Sequence, residues 1–153
     1  MPLYFAYGAN MNKTAMAERC PKSRPLGLAR LARHRTFIMS SGYLSVRRDP
    51  GMDVHGVLFD LALSDIAALD RYEDVKRGLY TKVVQPVLRK DAAAARALVY
   101  IGRDQIGGIA HPDYMAGVLS AAHDWQLPPR YIAHLATFAG AKDARARTPP
   151  MPR

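Results

Sequence analysis

An α+β fold, its strands forming a mostly antiparallel or mixed barrel, is what the sequence predicts, and three observations predict it. Short runs rich in aromatic and β-branched residues recur through the first two thirds of the chain. Apolar residues at helical spacing gather mainly near the C-terminus. The resulting order, β, short α, several β, α, β, β, α, α, lacks the regular alternation of a doubly wound sheet. A chain of 153 residues, 49% of them hydrophobic, is long enough to bury one core, so a single domain over 1–140 is expected.

The elements follow in order. Leu3 to Gly8, LYFAYG, reads as a buried strand that breaks into a loop at Gly8 to Asn10. Asn12 is placed to cap a short helix through Arg19, and Pro21 stops it. His34 to Val46 gives one or two strands around a Ser-Ser-Gly interruption. Val54 to Leu61, VHGVLFDL, is a clearer strand, followed by Ser64 as N-cap of a helix over Asp65 to Tyr72, where Ile66, Leu69 and Tyr72 share a face. Leu79 to Leu88 and Ala97 to Ile101 are two more strands, and Pro86 makes the first an edge strand or a bulged one. Pro112 opens a helix to about Trp125, and Pro129 opens another that Gly140 ends. The tail from Lys142 to Arg153, with three prolines, four basic residues and little to bury, is expected to be disordered over 141–153.

Lys and Arg number 22 against 13 Asp and Glu, a formal charge of +9, which favours anionic partners and steers acidic small molecules. Arg30, Arg33, His34, Arg35, Arg47 and Arg48 could form a phosphate-binding patch, but no nucleic-acid motif accompanies them, and a solvated basic face accounts for them better. The lone Cys20 excludes an internal disulfide or a CxxC site and, with no histidine suggested beside it, reads as a helix end rather than a nucleophile. The five histidines lack ligand spacing, so no metal is expected, and nothing implies another cofactor. Gly107-Gly108 lacks the lysine of a phosphate loop. With neither a signal sequence nor an apolar run of roughly 18 residues, a soluble cytoplasmic protein with no membrane partner is expected.

Three features could carry chemistry. Tyr7-Gly8-Ala9-Asn10 lies where a strand ends and a helix starts, and successive amides in such a turn can converge on an anion; a purely structural turn explains the same residues. Asp70, Glu73 and Asp74 stand at a helix C-terminus, where acids oppose the helix dipole, which favours function over helix stability; a solvated turn offset by Arg71, Lys76 and Arg77 is the competing account. In His111-Pro112-Asp113-Tyr114, Asp113 complements a helix N-terminus, and Tyr114 either points into a pocket or belongs to the core.

Taken together, YFAYGANM at Tyr4 to Met11, VHGVLFDL at Val54 to Leu61, LDRYEDVKRGLY at Leu69 to Tyr80 and the segment from Pro112 to Leu135 resemble the gamma-glutamylcyclotransferase family, grouped with the avirulence-induced proteins of plants. The resemblance spans about Leu3 to Leu135, and four segments in the right order are far more specific than any single motif. It implies a small mixed β-barrel with flanking helices. It also implies substrate binding by the glycine-containing turn, Tyr7, Gly8, Ala9 and Asn10, catalysis by Glu73, and a pocket wall at Tyr114. The chain departs from the family at Ala9, where the usual turn carries serine; contacts through backbone amides survive that change and a hydroxyl contact does not.

The implied reaction releases 5-oxoproline from a small γ-glutamyl molecule, the type of step that glutathione metabolism uses. The substrate's own α-amine attacks its γ-carbonyl and an amine or amino acid leaves. Because the attack is intramolecular, the enzyme has to hold the folded-back conformer and move protons, and one carboxyl group can do both transfers in sequence when its pKa lies near the working pH. The alternative is a non-catalytic module that binds a γ-glutamyl-like ligand. Leaving group and oligomeric state are open at this level.

Overall fold

The computed structural model describes residues 2–91 and 93–139; Ala92, the predicted stop at Gly140 and the tail lie outside them. Strands β1 (Leu3–Ala6), β2 (Arg24–Ile38), β3 (Leu44–Asp60), β4 (Tyr80–Arg89) and β5 (Ala94–Gly102) close a barrel in the order β1-β3-β2-β4-β5. The β1–β5 pair is parallel, at Tyr4 opposite Leu98, and the other pairs are antiparallel, so the barrel is mixed as expected. Helices α1 (Lys13–Arg19), α2 (Ile66–Tyr72), α3 (Pro112–Asp124) and α4 (Pro129–Ala139) flank it, with 3₁₀ turns at Ala9–Met11 and Leu63–Asp65.

The long β2–β3 ribbon shows where local preference misleads. Leu, Ala and Arg dominate Arg24 to Arg33 and favour helices, so no strand is legible there, yet the segment pairs with β3 from Arg24 opposite Asp60 to Ala32 opposite Asp53. Ala29 and Leu31 are buried on either side of the partly exposed Arg30, a period of two that helix-forming residue types conceal. Register shifts at Pro25/Gly27 and Ala32/His34 bend the ribbon, and Arg33 takes a left-handed conformation (φ 62°) at the second. Gly56 of β3 has a steric reason: a β-carbon there would lie 2.3 Å from the Ala6 carbonyl oxygen.

One expectation needs correction, and at Pro86 one of two alternatives is decided. Ser64 does not cap α2. Residues Leu63–Asp65 form a 3₁₀ turn that runs straight into the helix, and Asp65 turns its carboxylate back to the Lys22 amide (3.0 Å) and the Ser23 hydroxyl (2.8 Å), tying the turn between α1 and β2 to the start of α2. Pro86 produces no bulge, since the β4–β5 register is continuous from Tyr80 to Leu88. β2 pairs with β4 only at Leu88 and Arg89, which leaves the flank at Pro86 without a ladder partner, as on an edge strand.

Asn12 caps α1 by accepting a bond from the Ala15 amide (2.8 Å), and Pro112 occupies the first turn of α3, both as read from sequence. Phe5, Leu31, Leu44, Leu58, Met115 and Leu135 are among the fully buried side chains of a continuous core that joins the barrel to α3 and α4. Among the described residues no helix is long and apolar enough to cross a membrane.

Candidate active site

β1 delivers the turn. Past Ala6 the Tyr7 hydroxyl donates to the Tyr100 carbonyl (2.6 Å), fastening the strand end to β5. Ala9–Met11 then form a 3₁₀ turn, where a loop was expected; its own bonds use the amides of Met11 and Asn12, to the carbonyls of Gly8 and Ala9. The amides of Gly8, Ala9 and Asn10 precede the first bond of that turn. Asn10 is 2% exposed and donates from Nδ2 to the Tyr4 hydroxyl (3.0 Å), while its Oδ1 accepts from Arg19.

The end of α2 explains its three acids. The Val75 amide bonds the Asp70 carbonyl (3.0 Å) and the Asp74 amide bonds the Arg71 carbonyl (3.1 Å), which is the Schellman pattern, with Asp74 left-handed at φ 55° and Glu73 at the C-cap. Asp74 pairs with Arg77 (3.0 Å), and Asp70 accepts from the Tyr100 hydroxyl (2.6 Å) and from Lys82 (3.0 Å). Two of the acids therefore serve the chain's own structure. Glu73, fixed by the cap, faces a cleft.

That cleft is lined by Tyr4, Phe5, Tyr7, Gly8, Ala9, Asn10, Tyr72, Glu73, Tyr80, Tyr100 and Tyr114 and opens to solvent. All six residues singled out from the sequence, Tyr7, Gly8, Ala9, Asn10, Glu73 and Tyr114, meet here from three distant segments. Tyr114 comes from the first turn of α3, with its hydroxyl accepting from the Leu44 amide (3.3 Å) and its ring edge-on to Tyr43. Sequence reasoning assigned no part to Tyr4, Tyr72, Tyr80 and Tyr100. Tyr4, Tyr72 and Tyr80 fall inside segments that carry the family resemblance; Tyr100, in a strand of ordinary composition, gave no signal.

Six of the chain's eight tyrosines thus surround one carboxyl. Burial pushes the phenols of Tyr4 and Tyr7 well above the ordinary tyrosine range, and the nearby Glu73 charge pushes them further. Burial also raises Tyr100, followed by its bond to Asp70, the Asp70 charge and the Glu73 charge. These hydroxyls stay protonated at neutral pH and act as donors or neutral acceptors. Among the described residues no cluster of His, Cys, Asp or Glu is arranged to hold a metal ion.

A model of the AIG2-like family matches residues 53–135, just over half of the chain, including Glu73 and Tyr114. The chain belongs to the AIG2-like family. Curated gamma-glutamylcyclotransferases of Homo sapiens and Mus musculus are 25% and 27% identical to it over 139 residues, covering 84% of this chain and 74% of each relative. A solved gamma-glutamyl cyclotransferase matches this AIG2-like chain with a TM-score of 0.83 at 24% identity, covering 88% of this chain and 86% of the other. A yeast gamma-glutamyl cyclotransferase specific to glutathione matches at 0.60 and 12% identity, over 91% and 95% of the two chains. The mixed barrel with flanking helices is therefore the fold of gamma-glutamyl cyclotransferases.

The basic residues of β2 and β3 are in part committed to the protein itself. Arg30 pairs with Asp53 (2.6 Å), Arg35 with Asp49 (3.8 Å), and the Arg47 guanidinium lies 3.6 Å from the centroid of the Phe37 ring.

Proposed function

We propose that this AIG2-like protein is an enzyme that closes the γ-glutamyl end of a small molecule into 5-oxoproline and releases an amine or amino acid, with Glu73 as general acid and base. The observation that carries this reading is the convergence of the Tyr7–Asn10 turn, Glu73 and Tyr114 on one tyrosine-walled cleft. The names of the relatives supply the reaction class.

Glu73 takes a proton from the substrate α-amine as that nitrogen bonds to the γ-carbonyl carbon. The tetrahedral intermediate places negative charge on the former carbonyl oxygen, within reach of donors on the turn. Glu73 then returns the proton to the departing nitrogen as the original C–N bond breaks, so no protein nucleophile is used and no proton is left over. The amides of Gly8, Ala9 and Asn10 are the groups assigned to the substrate's carboxylate or developing oxyanion, and Tyr7 and Tyr114 wall the pocket. Ala9, where serine is usual, leaves the backbone contacts of the turn in place.

The test is 5-oxoproline release from a panel of γ-glutamyl dipeptides and γ-glutamylamines by wild type and Glu73→Gln. Product from wild type, with a loss of about 10² to 10⁴ in Glu73→Gln at unchanged fold, is the expected result. Undiminished turnover in Glu73→Gln removes Glu73 from its role, and ligand binding without product points to a non-catalytic module.

A further inference from the structure

Behind the cleft lies a short chain of polar contacts with a definite direction. Arg19, in the last turn of α1, donates to the Oδ1 of Asn10, and its guanidinium lies 3.5 Å from the centroid of the Tyr72 ring. Asn10 donates through Nδ2 to the Tyr4 hydroxyl oxygen at 3.0 Å. Asn10 and Tyr4 are both buried, and both line the cleft with Tyr72 and Glu73. No Lys or Arg is among the residues that line it.

An arginine side chain has only donors, an amide has a donor end and an acceptor end, and a phenol can do either. With Arg19 at one end, the amide of Asn10 has one orientation that satisfies both neighbours: oxygen to Arg19, nitrogen to Tyr4. The Tyr4 oxygen then accepts from Asn10, and its own proton is left to be given to another acceptor. A buried amide flipped between these two partners would set its NH₂ against the arginine's donors, so the direction set at Arg19 is carried to the cleft.

We propose that Arg19 is a positioning residue that obliges Asn10 to donate to Tyr4, so that Tyr4 offers its hydroxyl proton to an oxygen of the bound γ-glutamyl group. The inference rests on the γ-glutamyl reading for the identity of the acceptor and adds Tyr4 to the substrate-binding residues. It assigns recognition of a substrate oxygen to a neutral donor oriented from behind by a cation that does not itself line the cleft. Stacking on Tyr72 gives the guanidinium a fixed plane for that task.

The experiment is steady-state kinetics of Tyr4→Phe, Arg19→Gln, Arg19→Lys and the double variant Tyr4→Phe/Arg19→Gln, with Tm measured for each. Losing one hydrogen bond to a charged oxygen lowers kcat/KM by about ten- to a hundredfold, the expected result for Tyr4→Phe and Arg19→Gln alone. Because Arg19 acts through Tyr4, the double variant is expected to be no worse than Tyr4→Phe by more than about threefold. Glutamine can either donate or accept and loses the direction, whereas lysine is a pure donor, so Arg19→Lys is expected to recover most of the loss. Multiplied losses in the double variant, or equal damage from lysine and glutamine, overturn the proposal. If wild type forms no 5-oxoproline, the γ-glutamyl reading fails on its own terms, and the polar chain is read separately from the side-chain amide NMR signal of Asn10, assigned by its disappearance in Asn10→Asp. That signal is expected to shift and lose exchange protection in Arg19→Gln; an unchanged signal overturns the inference whatever the substrate.

Discussion

The hydroxyl of Tyr114 lies 3.1 Å from the point that a β-carbon would occupy on Gly8. A residue of α3 and the turn after β1 are thus packed so closely that any side chain at position 8 must displace the tyrosine. Tyr114 is held by the Leu44 amide and set against the ring of Tyr43, which limits how far it can yield. Gly8→Ala is therefore expected to lower kcat/KM by about tenfold or more while leaving most of the stability, because the displaced group is on the cleft and not in the deep core. Paired Tm and turnover measurements check it; undiminished turnover would mean that the tyrosine moves aside without consequence.

Asp74 holds the left-handed position that ends α2 and directs the chain past Glu73 towards β4. Aspartate tolerates that conformation and its ion pair with Arg77 is largely solvent-exposed, so Asp74→Gly is expected to stay within about 0.5 kcal/mol of wild type. A β-branched residue has no such tolerance, and Asp74→Val is expected to lose about 1–2 kcal/mol. Urea denaturation of the two variants separates a backbone requirement from a charge requirement. Equal losses in both would assign the effect to the ion pair instead.

This cap also shows what could be read in the sequence and what could not. That acids at 70, 73 and 74 oppose the helix dipole was legible, and it marked the segment as one to explain. Which acid faces the cleft was supplied by family resemblance, since only the three-dimensional arrangement shows Asp70 spent on Tyr100 and Lys82, and Asp74 spent on the turn. The short helix after Asn12 and the start at Pro112 were legible because capping chemistry is local. The first half of β2 was not, because its pairing with β3 overrides the helix preference of Leu, Ala and Arg. The tyrosine wall was missed for a related reason: Tyr4, Tyr72, Tyr80 and Tyr100 come together only when the barrel closes.

Cys20 is fully buried at the end of α1, with its sulfur 3.8 Å from the Asp65 carbonyl oxygen. Burial first, and then the Asp65 charge, pushes the thiol up to about 11, so almost none of it is thiolate at neutral pH. The native protein is expected to resist alkylation by iodoacetamide at pH 7.5 and to react once unfolded in guanidinium chloride. Fast labelling of the native state would show that the α1 end opens readily.

His55 and His134 both sit near Tyr131, with ring centroids 5.0 Å and 6.3 Å from it. Burial lowers the pKa of each; Arg30 adds to the effect at His55 against the opposing pull of Asp53, and Arg35 adds to it at His134. At His134 the Thr36 backbone pulls the value back up, by less than burial and Arg35 together lower it. With the folded pKa below the unfolded value of about 6.5, the unfolded chain takes up protons first as pH falls, and the native state loses stability below that point. Tm is therefore expected to fall between about pH 7 and pH 5, and His134→Leu and His55→Leu are each expected to flatten the fall relative to wild type. Carboxylates contribute to acid destabilisation in all three proteins alike, so the comparison of slopes isolates the histidines. Identical slopes in wild type and both variants would show that neither imidazole is kept neutral by the fold.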